Sequence, residues 1–290
     1  MPPIDAPSRV EDLELHDHAC WVSDASVERG PRLTRYLGLG LSRGERVGFY
    51  GASPEHCEQV AADLAADGVA VDALTARGQL IFGLAEDAYA GEALFDPQRR
   101  LAAHAVAVQA ALDDGYGGLR VASDVGWLHR HPEAQRAWPG YELGADLLAA
   151  QLPFAALCLY ERRAWQPRQL ALIEAMHSHR APDTSRAETT GFQAGGQRDG
   201  AIRLSGDLDL TFAADLDEAL VVAARRSRSG VLDVTDLDFV DVAGMRAIAR
   251  ACQTLVRHAG QARIRGASPT FRRIWRLAEF DRVESFIEVT

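Results

Sequence analysis

The chain has 290 residues, 47% of them hydrophobic and 25% charged. This is a globular composition at a length that predicts two domains rather than one core. Acidic residues outnumber basic ones 41 to 31, for a formal net charge of −10, which argues against a direct nucleic-acid binder or attachment to a membrane through basic charge.

In chain order, Ala19–Val22 reads as a short strand and Pro31–Leu41 as a helix ended by Gly44. Glu45–Tyr50 is an apolar strand closed by Gly51. Ser53-Pro54-Glu55 supplies an N-cap and a proline at the first helical position, predicting a helix over Pro54–Asp67 that stops at Gly68. Leu80–Phe82 reads as a strand, and Asp96-Pro97 opens a helix to about Asp113. Leu119–Ala122 and Ala155–Tyr160 are further strands, with helices around Tyr141–Ala150 and Arg168–His177. This alternation predicts an α/β fold with a mainly parallel sheet over residues 1–180. Residues 181–198, APDTSRAETTGFQAGGQR, are small and polar and read as a linker. The acidic excess lies almost entirely before it.

The remainder, residues 199–290, predicts a smaller α/β domain. Ala201–Leu204 is a strand and Gly206-Asp207 a turn. Thr211 caps a helix to about Arg226, and Val231–Val234 is an apolar strand. Asp241-Val242-Ala243-Gly244 leads into a helix over Met245–His258 that Gly260 stops. Ala262–Arg265 is a strand, Ser268-Pro269 starts a helix to about Ala278, and Ser285–Val289 is the last strand. Met245, Ile248 and Cys252 form a core stripe on the helix after the turn.

Three motifs in this region fall in a set order: Leu204-Ser205-Gly206-Asp207-Leu208-Asp209, Val231-Leu232-Asp233-Val234 and Leu237 through Met245. The region resembles the STAS domain of anti-sigma factor antagonists. The resemblance implies a partner-binding module whose partner is an anti-sigma factor or a related kinase-like protein. It also implies a switch: a serine after an aspartate in a D-S-(S/A)-G-like turn at a helix start, where phosphate changes shape and field together. Here that turn is Asp241, Val242, Ala243 and Gly244, with no hydroxyl at either middle position. Ser205, Ser227, Ser229 and Ser268 lie elsewhere. Asp241 also reads as an ordinary N-cap.

Residues 13–180 resemble the MEDS domain, a sensory domain of methanogen, methylotroph and DcmR-type regulators. The residues carrying this are Asp17-His18-Ala19-Cys20-Trp21, Leu41 through Val47, Phe95-Asp96-Pro97, Gly115 through Val121, Tyr141-Glu142, Leu157 through Tyr160, and His177. The stretch from Gly44 to Gly83, including GERVGFYGASPEHCEQV, is also similar to part of a RecA/KaiC-type ATPase core. The residues able to hold a sensed ligand are His18, Cys20, Glu142, Cys158 and His177. His18, Cys20, Cys158 and His177 are also metal-ligand types. The ligand stays open between a small organic molecule, a metal ion and haem. The four cysteines, Cys20, Cys57, Cys158 and Cys252, form no CxxC and are expected as thiols.

The chain contains no lysine, so the G-x-x-x-x-G-K-[ST] phosphate loop cannot form. The Gly38, Gly40, Gly44 cluster follows a helix and not a strand, which does not fit a dinucleotide loop, and no G-x-S-x-G elbow exists. No apolar run reaches the ~20 residues of a membrane span. The expectation is a cytoplasmic signalling regulator, not an enzyme, that contacts no membrane and no nucleic acid, with self-association left open. The alternatives are a degenerate RecA-like nucleotide-binding enzyme using carboxylates such as Glu55, Glu86 and Asp124, and a non-sensing scaffold in a sigma-factor control complex.

Overall fold

The computed structural model describes residues 9–24, 29–90, 95–181, 191–280 and 287–290. The chain divides into two compact units: residues 1–136, 152–170 and 179–187, and residues 137–151, 171–178 and 188–290.

The first unit is built on a six-stranded sheet in the order β3-β2-β4-β5-β1-β6, every pairing of which is parallel. Its strands are β1 (His18–Ser23), β2 (Arg46–Gly51), β3 (Leu80–Leu84), β4 (Leu119–Asp124), β5 (Phe154–Glu161) and β6 (His179–Ala181). β1, β4 and β5 are buried along nearly their whole length, as strands covered on both faces are, and β5 reads as an almost unbroken apolar run. Between the strands run α1 (Arg29–Ser42), α2 (Pro54–Ala66), α3 (Val71–Ala76), α4 (Ala85–Tyr89) and α5 (Pro97–Asp113). α2 and α5 start at the expected caps: Ser53 accepts from His56 N–H, and Asp96 from Gln98 and Arg99 N–H. α3, α4 and β6 are too short to show a period in the sequence. Leu33, Leu37, Phe49, Val60 and Leu64 are buried between α1, α2 and the sheet.

Two further helices alternate with the last parallel strands, α6 (Pro132–Gln151) between β4 and β5 and α7 (Pro167–Ala175) between β5 and β6. The sequence places α6 only around Tyr141–Ala150. The helix in fact begins at Pro132 and runs through Pro139.

The second unit carries a five-stranded sheet, β11-β10-β9-β8-β7. It comprises β7 (Phe192–Gly196), β8 (Ile202–Leu208), β9 (Val231–Val240), β10 (Ala262–Arg265) and β11 (Ile287–Val289), with α8 (Leu210–Ala224), α9 (Val242–Ala259) and α10 (Pro269–Leu277). Only β7 runs antiparallel to its neighbour. Met245, Ile248, Cys252 and Leu255 of α9 pack into one core with Leu204, Leu232 and Phe271, as the stripe predicts.

Several expectations change. Residues 192–196 are a paired strand, not linker: Phe192 and Ala194 point inward while their neighbours are half-exposed, an alternation too short to stand out among the glycines. Gly206-Asp207 is not a turn but an irregularity inside β8, where the register shifts against β9. Gly206 sits at φ +75°, and a Cβ there would collide with the Gly191 carbonyl, so only glycine suits it. The boundary near residue 180 is also not a clean cut. Leu143, Leu147, Leu172, Ala175 and Met176 belong to the core of the second unit. Asp146 accepts from Ser178 N–H at 2.9 Å, from Ser178 Oγ at 2.6 Å and from Gly196 N–H at 2.7 Å. α8 begins at Leu210, so Thr211 lies inside its first turn and does not occupy the N-cap position expected of it, and residues 285–286 of the last strand lie outside what is described.

Candidate functional site

The sensory candidates fall into two buried pairs, one in each unit. In the first unit, His18 opens β1 and Cys158 lies in β5, which pair in register with Cys20 opposite Cys158. Period-two alternation puts positions 18 and 20 on one face, so His18 and Cys158 share it. His18 Nε2 and Cys158 Sγ are 3.6 Å apart, and the residues are 1% and 4% exposed. Cys20 shares the face but turns its thiol toward the His179 carbonyl at 4.0 Å.

In the second unit, Glu142 of α6 and His177, two residues past α7, are both fully buried, with His177 Nε2 3.5 Å from Glu142 Oε2. His177 Nδ1 lies 2.8 Å from the Ile173 carbonyl, which assigns the proton to that nitrogen and leaves Nε2 as the donor atom. The His177 carbonyl accepts from the Gln193 side chain of β7 at 2.7 Å.

His18, Glu142, Cys158 and His177 each offer one ligating atom, and all are buried. A tetrahedral ion with bonds of about 2.0–2.3 Å sets neighbouring N, O or S ligands about 3.3–3.6 Å apart. Both observed pair spacings suit two neighbouring ligands of an ion, and at 3.5 Å the carboxylate–imidazole contact is long for a hydrogen bond. Imidazole, thiolate and carboxylate are a donor mixture for zinc and related transition metals.

The hydroxyl-free turn lies at the start of α9. Asp241 caps the helix, its Oδ1 accepting from Gly244 N–H at 2.8 Å, and the chain is fixed there by Asp241 N–H donating to the Leu208 carbonyl at 3.1 Å. Gly244 packs so closely against Leu208 and Val240 that a Cβ would stand 2.7 Å from Leu208 Cγ. Val242 is 56% exposed, and Phe239, two residues before the cap, is 53% exposed. In the sequence Phe239 stands only as part of a motif, and its exposure appears in the structure, near the exposed end of β9. The serines elsewhere in this unit have local work. Ser268 caps α10, Ser227 donates to the Gly200 carbonyl, Ser229 accepts from Val231 N–H, and Ser205 faces the Gln193 carbonyl.

The carboxylates considered for nucleotide chemistry separate. Glu55 and Asp124 line one cavity, whereas Glu86 is bound to Arg130 and His131, which hold it down at about 2. Gly40 serves packing: a Cβ there would lie 2.7 Å from the buried Arg120 side chain and 2.9 Å from Glu45 Oε2. No helix among the described residues is long and apolar enough to cross a membrane.

The first unit is a parallel-sheet α/β domain without a phosphate-loop sequence, and the second is a small α/β module with an exposed apolar helix start. Residues 17–180 match the family described as MEDS, the MEthanogen/methylotroph, DcmR Sensory domain, and residues 195–289 match the STAS domain. The chain belongs to the MEDS family and carries a STAS domain after it, the architecture of an anti-sigma-factor-antagonist-like regulator. No curated protein matches the chain.

Proposed function

We propose that this protein is a non-enzymatic signalling regulator whose STAS domain docks an anti-sigma factor or a related kinase-like protein without a phosphorylation switch of its own. The carrying observation is the α9 start. It combines a helix N-terminus with its positive dipole end and the exposed side chains of Phe239 and Val242, with no hydroxyl where a phosphoacceptor would sit. Apolar groups beside a helix terminus suit a partner contact that buries them. Control then has to come from the other domain.

The sensory side uses the buried His18–Cys158 pair of the first unit as its ligand pair, and its donor types favour a transition-metal ion. The Glu142–His177 pair of the second unit is tied to the STAS sheet, since Gln193 of β7 holds the His177 carbonyl and Asp146 links Ser178 to Gly196. A ligand that binds one arrangement of His177 better than another therefore biases the position of β7. The test is to mix the full chain with a purified anti-sigma kinase and ATP. Complex formation with an unchanged intact mass supports the reading. A stoichiometric phosphate on the chain, or no complex at all, contradicts it.

A further inference from the structure

The parallel sheet of the first unit opens a cavity of about 850 Å³ at the carboxyl ends of β1, β2, β4 and β5, within the size range of small-molecule sites. Its place follows from the topology. β2 and β4 are neighbours, yet the chain leaves β2 toward β3 on one side and β4 toward β5 on the other. The loops after these two strands diverge, leaving the crevice where open α/β sheets bind ligands.

The lining gives the ligand its chemistry. Four carboxylates, Glu55, Asp63, Asp124 and Glu161, face two guanidinium groups, Arg29 and Arg130. Both cations are engaged. Arg29 is buried, donating to Ser23 Oγ and, at 2.7 Å, to the Tyr160 carbonyl, and Arg130 pairs with Glu86, which is not part of the lining. His129 adds no charge at neutral pH, because burial pulls its pKa below the usual histidine value despite Asp124 and Glu161 nearby. The apolar walls include the indoles of Trp127 and Trp165, and the His129 ring rests 4.6 Å from that of Trp165. Carboxylates recognise an ammonium group by charge-assisted hydrogen bonds, and indole faces favour cations.

We infer that this cavity binds a small organic cation, an amine with an apolar body, and not a nucleotide. A phosphate chain would meet a net negative lining there, four carboxylates against two guanidinium groups. The site is separate from the His18–Cys158 pair, and the binding does not depend on the docking role proposed above.

Binding of phenethylamine to the full chain, followed by calorimetry, tests this, with 2-phenylethanol as the neutral counterpart and ATP as the anionic one. Phenethylamine should bind saturably, at least about tenfold more tightly than 2-phenylethanol, as loss of a charge-assisted contact implies. Glu161→Gln, an exposed and conservative change, should weaken it about tenfold, while Asp113→Asn, at an exposed carboxylate outside the cavity lining, leaves it unchanged. Equal binding of amine and alcohol, tighter binding of ATP, no saturable amine binding, or a Glu161→Gln protein that is folded by circular dichroism and binds like the parent would each overturn the inference.

Discussion

Asp241 Oδ1 accepts a hydrogen bond from Gly244 N–H at 2.8 Å, across a turn whose two middle residues carry no hydroxyl. The aspartate therefore caps the helix at the centre of the proposed docking surface. Asp241→Ala should lower stability by about 1 kcal/mol, the usual value of a lost cap, whereas Asp241→Asn keeps an acceptor and should stay close to the parent. Urea unfolding of the three proteins measures the difference.

Arg120 and Glu45 form a fully buried ion pair, with Nε to Oε2 at 2.6 Å and the guanidinium 4.6 Å over the Tyr36 ring. Removing one partner strands the other charge. Arg120→Met should cost about 3–5 kcal/mol, and the double variant Arg120→Met with Glu45→Leu should recover much of that loss. Gly40→Ala, which pushes a methyl group against both side chains, should cost about 1–3 kcal/mol. Denaturant midpoints of the four proteins test the series.

Asp233 and Asp199 both flank Arg265. Burial raises the pKa of Asp233, but bonds from Thr235 and the Arg265 guanidinium outweigh it and hold the group below its ordinary 3.8. Asp199 behaves alike, burial being outweighed by Arg265 and by Ala201 N–H. A carboxylate depressed in the folded state stabilises it above the unfolded pKa, and that contribution is lost as pH falls through the folded value. The urea midpoint should therefore decline as pH falls from about 4 toward 2, and Asp233→Asn should flatten that decline.

The His18–Cys158 spacing of 3.6 Å predicts a thiolate-ligated ion. The full chain loaded with Co2+ should show a sulfur-to-cobalt absorption band that disappears in Cys158→Ser. His18→Gln, which removes the imidazole beside that thiol, should shift the band and lower cobalt affinity at least about tenfold. Cobalt binding with the same spectrum in both variants contradicts this ligand set.

Much of the fold was legible because its signals are local. Ser53, Asp96, Asp241 and Ser268 announced helix starts, and each caps one. Strand β5 was visible as an apolar run because both faces are covered. Less was legible where long-range packing decides. β7 needed its antiparallel partner to be seen, and Gly206 looked like a turn because a bulge and a turn ask for the same backbone freedom. For the site, residue type pointed to His18, Glu142, Cys158 and His177 while spacing did not, since the pairs join residues 140 and 35 positions apart in the chain. The cavity was not legible, because its lining comes from four strand ends and carries no motif.

The most direct measurement is the affinity of the full chain for a purified anti-sigma kinase, compared between the parent and Val242→Asp. Val242 is exposed, so the substitution leaves the core intact while placing a charge on the docking face. The account predicts saturable binding by the unmodified parent and a loss of at least about tenfold in the variant, as expected for an apolar contact at the centre of an interface. Equal affinity of parent and variant would contradict it.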